Sequence, residues 1–148
     1  MTTRVVDTEE KRRLLLKLIE GQPLPFTCEV VKGKRRSVEQ NRLQRLWLAE
    51  IAEQLGDRTP EEIRAFCKLT LGVPILRAES DLFREKYDRI IRPMPYETKL
   101  ELMGEPMDFP VTRLMTTEQN TRYLDSVSRY FTERGVVLTD PDAMRHAA

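Results

Sequence analysis

The residues with the most chemistry to offer lie between positions 32 and 45, where Lys32, Lys34, Arg35, Arg36, Arg42 and Arg45 are opposed by one acid, Glu39. This window carries a net +5. The whole chain has a formal charge of only +1, so the remainder carries −4, and the globally basic character of a histone-like binder is excluded. The run Lys32-Gly33-Lys34-Arg35-Arg36-Ser37 reads as a turn from a strand into a helix N-terminus, where unpaired backbone amides and the positive dipole end add to four cationic side chains. Phosphate is the anion that suits such a place. Cations this close in sequence neutralise successive backbone phosphates without reading a base, which predicts salt-sensitive, weakly sequence-selective binding of nucleic acid. Two amides extend the pattern. At 100° per residue from Val38, Leu43, Trp47, Ile51 and Leu55 share one sector, and Gln40 and Asn41 fall in or beside it. One reading has Gln40 closing a capping box with Ser37 and Asn41 bonding a nearby carbonyl. The other places both at the mouth of a groove beside the basic turn, hydrogen-bonding nucleic acid. The candidate nucleic-acid-binding set is therefore Lys32, Lys34, Arg35, Arg36, Gln40, Asn41 and Arg42.

Other chemistries lack a constellation. The one histidine, His146, lies near the C-terminus, which leaves Ser-His and Cys-His nucleophilic catalysis without a base. Cys28 and Cys67 are far apart and read as core residues on a strand and a helix stripe. Asp140 with Asp142, or Glu105 with Asp108, are acid pairs of the kind that hold Mg²⁺ in nucleases, but acids beside proline are common in turns, and no metal or cofactor is expected. No Gly-rich phosphate loop is present. The expectation is a non-enzymatic protein without catalytic residues.

The elements that must position the basic turn follow from caps and periodicity. Residues 3–6 and 26–32 read as short strands flanking a helix from Glu9 to Glu20 that Thr8 caps and Gly21 stops. The next helix runs from the Ser37 cap through Leu55, with Gly56 as its end. Thr59-Pro60-Glu61-Glu62 opens a helix to Leu71, with Ile63, Phe66, Cys67, Thr70 and Leu71 on one stripe. Gly72 to Leu76 reads as a break, and Ser80 caps a helix carrying Leu82, Phe83, Tyr87, Ile90 and Ile91. Tyr96 to Met103 fits helix and strand equally. Val111 to Met115 reads as extended, Thr117 as the cap of a helix from Glu118 to Arg134, Val136 to Leu138 as a strand, and Thr139 onward as a loose tail. The expected fold is α+β and mostly α: a small N-terminal sheet packed with at least four helices, in one domain over residues 1–142 with a flexible tail at 143–148. No apolar run approaches the roughly 18 residues of a membrane span, and the N-terminus lacks the apolar core of a secretory signal. A soluble, cytoplasmic protein is expected.

The string Arg36-Ser37-Val38-Glu39-Gln40-Asn41-Arg42, with Leu46-Trp47 behind it, resembles the signature of the phage NinB (Orf) recombination proteins. Tyr123-Leu124, Thr132 to Val136 and Asp140-Pro141-Asp142 are similar to that family's closing helix, ERG turn and extended end, so the resemblance spans roughly residues 4 to 142. Val73 to Pro110 departs from the family in being longer and more charged. The resemblance implies a small homodimer that binds single-stranded DNA, contacts the single-strand-binding protein and assists loading of a strand-exchange recombinase, in the host cytoplasm if phage-encoded. The bare edges of a narrow sheet argue independently for pairing of copies. The alternatives are a metal-dependent nuclease and a protein-only adaptor.

Overall fold

The computed structural model describes residues 4–30 and 38–141. Among these the chain is all-α, with no strand, and this overturns the expected N-terminal sheet. Residues 4–7 and 26–30 form no regular secondary structure, and they lie on either side of α1 (Glu9–Glu20), which buries none of its residues. β-branched composition in a short run is a weak preference. Without a partner edge and an apolar face to cover, it does not make a sheet.

The body consists of α2 (Val38–Leu55), α3 (Pro60–Cys67), α4 (Val73–Glu79), α5 (Asp81–Ile90), α6 (Tyr96–Met103) and α7 (Thr117–Thr132). Local chemistry explains most of their ends. Thr59 and Glu62 form the expected capping box at α3, with Pro60 at its first position. Ser80 accepts from the Phe83 amide at α5. At α7 the cap is Thr116 rather than Thr117, because Gln119 at the third position reciprocates its bond. Gly56 and Gly135, at φ of 70° and 85°, take the left-handed conformation after α2 and α7.

The expected break at Gly72–Leu76 is instead a continuous passage. Lys68–Gly72 form a π-helical turn, closed by the Val73 amide on the Lys68 carbonyl, which joins α3 to α4. Pro74 has no N–H to give to residue 70, and widening the helix by one residue absorbs that loss without stopping the chain. Tyr96–Met103, ambiguous in sequence, is helix, and Val111–Met115 contains a 3₁₀ turn at Thr112–Leu114 rather than a strand.

The core gathers Trp47, Leu48 and Ile51 of α2, Ile63 of α3, and Tyr123, Leu124, Val127 and Phe131 of α7. Against α2 lies the C-terminal extension. The Gln54 amide both donates to the Val137 carbonyl (2.7 Å) and accepts from its N–H (2.8 Å). Glu50 accepts from the Thr139 amide and hydroxyl, and the Trp47 indole N–H donates to the Thr139 carbonyl at 2.9 Å. The segment expected as a strand thus finds its backbone partners on helix side chains, and Thr139, expected in a loose tail, is tethered. Residues 143–148 lie outside the described residues. Among the described residues no helix is long and apolar enough to cross a membrane.

Candidate nucleic-acid interface

Of the seven candidate residues, Lys32, Lys34, Arg35 and Arg36 lie outside the described residues, together with Ser37. The other three open α2, and the helix divides them. Gln40 turns toward α7: its amide donates to Thr121 Oγ1 at 2.8 Å and accepts from Asn120 Nδ2 at 3.1 Å. Asn120 is fully buried, and Thr121 Oγ1 passes its own proton to the Thr117 carbonyl. Gln40 therefore clasps two helices across 80 residues of sequence, and its amide edge is committed to that contact. Arg42 is exposed and makes no ion pair among the described residues.

Asn41 takes a third direction. With Gln44, Arg45 and Leu48 of α2, Arg64 of α3 and Thr112 of the 3₁₀ turn, it lines a polar depression of about 240 Å³. Positions 41, 44, 45 and 48 follow the i, i+3, i+4, i+7 rule for one helical face. Leu48 forms an apolar floor, and Arg64 forms a wall that is held firmly in place. Its Nε and Nη2 bond both oxygens of Glu61 at 3.0 and 2.9 Å, and Nη2 also meets Asp108 Oδ1 at 2.8 Å.

Behind that wall lies Lys68, with 2% of its side chain exposed. Its ammonium donates to Asp108 Oδ1 and to the Met103 carbonyl, both at 2.7 Å. Asp108 reaches this position from a left-handed backbone, φ 46°, a conformation that Asp and Asn tolerate better than most residues. The Lys68 hydrogen bond, with Arg64 in support, holds the Asp108 carboxyl below its ordinary range, and the Arg64 fork lowers Glu61 likewise. Burial pulls Lys68 below the usual lysine value, and the Asp108 contact opposes that shift. The Glu61 bond raises Arg64, which stays charged.

This network escaped the sequence reading. Glu61, Arg64 and Lys68 share one helix face at spacings of three and four, the only local signal, and Asp108 comes from 40 residues beyond Lys68. The suspected acid pair of Glu105 and Asp108 is not a pair: Asp108 is engaged by two cations, and Glu105 contributes its backbone N–H to Glu61. Among the described residues no group of three His, Cys, Asp or Glu side chains is placed to hold a metal ion. Asp142 and His146 lie outside the described residues. Cys67 is buried as expected and its thiol is pushed up to about 12 by burial, whereas Cys28 is exposed in a segment without regular secondary structure.

A second, larger concavity of about 660 Å³ lies where α4 and α5 meet the segment before α7; Leu76, Phe83, Tyr87, Ile91, Phe109 and Leu114 form its apolar surface. Its rings are stacked between Phe83 and Tyr87 at 5.6 Å and tilted toward Phe109. No protein-family model, curated protein or solved structure matches the chain.

Proposed function

We propose that this protein is a non-enzymatic single-stranded DNA-binding recombination mediator, acting in the cytoplasm as a homodimer alongside a single-strand-binding protein and a strand-exchange recombinase. The observation that carries the reading is the first half of α2. It follows directly on the basic run Lys32–Arg36 and presents exposed Arg42 and Arg45, with Asn41 and Gln44 beside them. In sequence the cations continue from that run into the helix, a pattern suited to tracking a phosphate backbone. The resemblance of residues 36–47 to the NinB signature supports the same reading.

With the N-terminal sheet gone, bare strand edges no longer argue for a dimer. Support comes instead from apolar surface. Leu14, Leu16 and Leu18 of α1 are 60%, 52% and 38% exposed, and Leu82, Ile90 and Leu114 stand out around the apolar concavity. Pairing of two copies is one way to take such apolar surface out of water.

The test is a salt titration of binding to a fluorescent single-stranded oligonucleotide. Lys32, Lys34, Arg35, Arg36 and Arg42 together neutralise about four phosphates, which for single strands gives a slope of log affinity on log salt near −3 per engaged subunit. Replacing Arg35 and Arg36 by Ala flattens that slope by about 1.4. Absence of salt-dependent binding refutes the reading, and magnesium-dependent cleavage of the oligonucleotide replaces it with the nuclease.

A further inference from the structure

We infer that the depression between α2, α3 and the 3₁₀ turn is a base-reading subsite, taking one unpaired purine, adenine above all, from a bound single strand. The inference rests on the DNA-binding reading above and adds to it a selectivity that the basic run alone does not supply.

Elsewhere on α2 the polar side chains facing the body are committed: Gln40 to α7, Glu50 and Gln54 to the C-terminal extension. In the depression the pattern reverses. The side chains of Asn41, Gln44, Arg45 and Thr112 make no hydrogen bond or ion pair among the described residues, although all four residues line one space. Arg64 is immobilised by Glu61 and Asp108 through Nε and Nη2, and its Nη1 is left over. The result is a set of hydrogen-bonding groups around a depression of about 240 Å³, lined on its apolar side by Leu48 and walled by a guanidinium that cannot swing away.

The chemistry of that set selects among ligands. A bare phosphate needs donors only, and the carbonyl oxygens of Asn41 and Gln44 would face its charge. A base edge presents donors and acceptors side by side. Asn and Gln match adenine, donating to N7 and accepting from N6, and a guanidinium matches the N7 and O6 of guanine. Arg45, the exposed cation at the rim, suits the phosphate attached to that base. A duplex presents that edge only within its major groove, with the base fixed in the stack. An unpaired base can be splayed out and inserted.

The test uses thirteen-nucleotide thymidine oligomers carrying at the centre thymine, adenine, guanine, cytosine or an abasic residue, titrated with the wild-type protein at one fixed salt concentration. Wild type binds the adenine oligomer about tenfold more tightly than the all-thymine one, with guanine second, as one bidentate contact gives. In Asn41→Ala/Gln44→Ala the preference falls to within about twofold while the salt slope stays unchanged, since no phosphate contact is lost. The isosteric Gln44→Glu, which preserves shape and solubility, exchanges a donor for an acceptor and moves the preference from adenine toward cytosine. Arg45→Ala lowers the salt slope by about 0.7 and leaves the base order intact. Wild-type binding that is equal for all five oligomers refutes the subsite alone, as does a preference that survives in folded Asn41→Ala/Gln44→Ala and Gln44→Glu. No binding to any oligomer refutes the subsite together with the DNA-binding reading.

Discussion

Asp108→Asn removes one charge from the Glu61–Arg64–Lys68–Asp108 network and leaves nearly everything else in place. Asparagine has the same shape and tolerates the left-handed φ of 46° that this position requires, so the backbone is not strained. Arg64 retains its two bonds to Glu61. Lys68 does not fare as well: its side chain is 2% exposed, and its ammonium is left with the Met103 carbonyl and a neutral amide oxygen. Removing one partner of a buried pair costs about 3–5 kcal/mol, and because the Asp108 carboxylate is itself 46% exposed, a loss near the lower end, about 3 kcal/mol, is expected at pH 7. The pH dependence separates charge from packing. The folded value of Asp108 lies below the ordinary 3.8, so its contribution is complete above about pH 5 and disappears as pH falls through the native value. At the alkaline end, Lys68 already lies below its ordinary value in the native network and falls further once the opposing Asp108 charge is gone, so the unfolded chain holds more protons and the variant recovers more stability than the parent as pH rises toward 10.5. The deficit is therefore a plateau that shrinks at both ends. Urea unfolding followed by fluorescence of the buried Trp47 measures it across pH, and Lys68→Met with the double variant closes a mutant cycle whose coupling is about 2 kcal/mol. A deficit under 0.5 kcal/mol, or one that is flat with pH, refutes the assignment of Lys68 as a buried charge neutralised by Asp108.

Two further substitutions probe the core by the same unfolding assay. A Cβ at Gly72 would stand 2.7 Å from Val111 Cγ1 and 3.4 Å from Tyr123 Cε1, both on buried residues, so Gly72→Ala costs about 1–3 kcal/mol where an open helical glycine would gain stability. Phe131, fully buried in α7, costs about 3–5 kcal/mol on truncation to Ala, whereas Phe66, only partly buried against it, costs less; equal losses would contradict the observed packing.

Local chemistry alone determined the helices with strong caps and long stripes. Thr59-Pro60-Glu61-Glu62 announces α3, and Tyr123, Leu124, Val127 and Phe131 announce the buried face of α7, because capping bonds and helical periodicity operate within a few residues. The basic character of residues 32–45 and the amides at Gln40 and Asn41 were equally legible. What those amides do was not: Gln40 and Asn41 are neighbours in sequence, yet one clasps α7 and the other opens onto the depression, and only the packing angle of α2 against α7 and α3 decides which. The same limit explains the failures. Gly72 and Pro74 carry breaker chemistry, but burial of Val73 and Leu76 holds the chain helical through a π turn. The β-rich segments at 4–6 and 26–30 carry strand propensity but form no strand among the described residues. Lys68 acquires its partner from Asp108, 40 residues away, and a contact at that separation exists only once the helices between have packed.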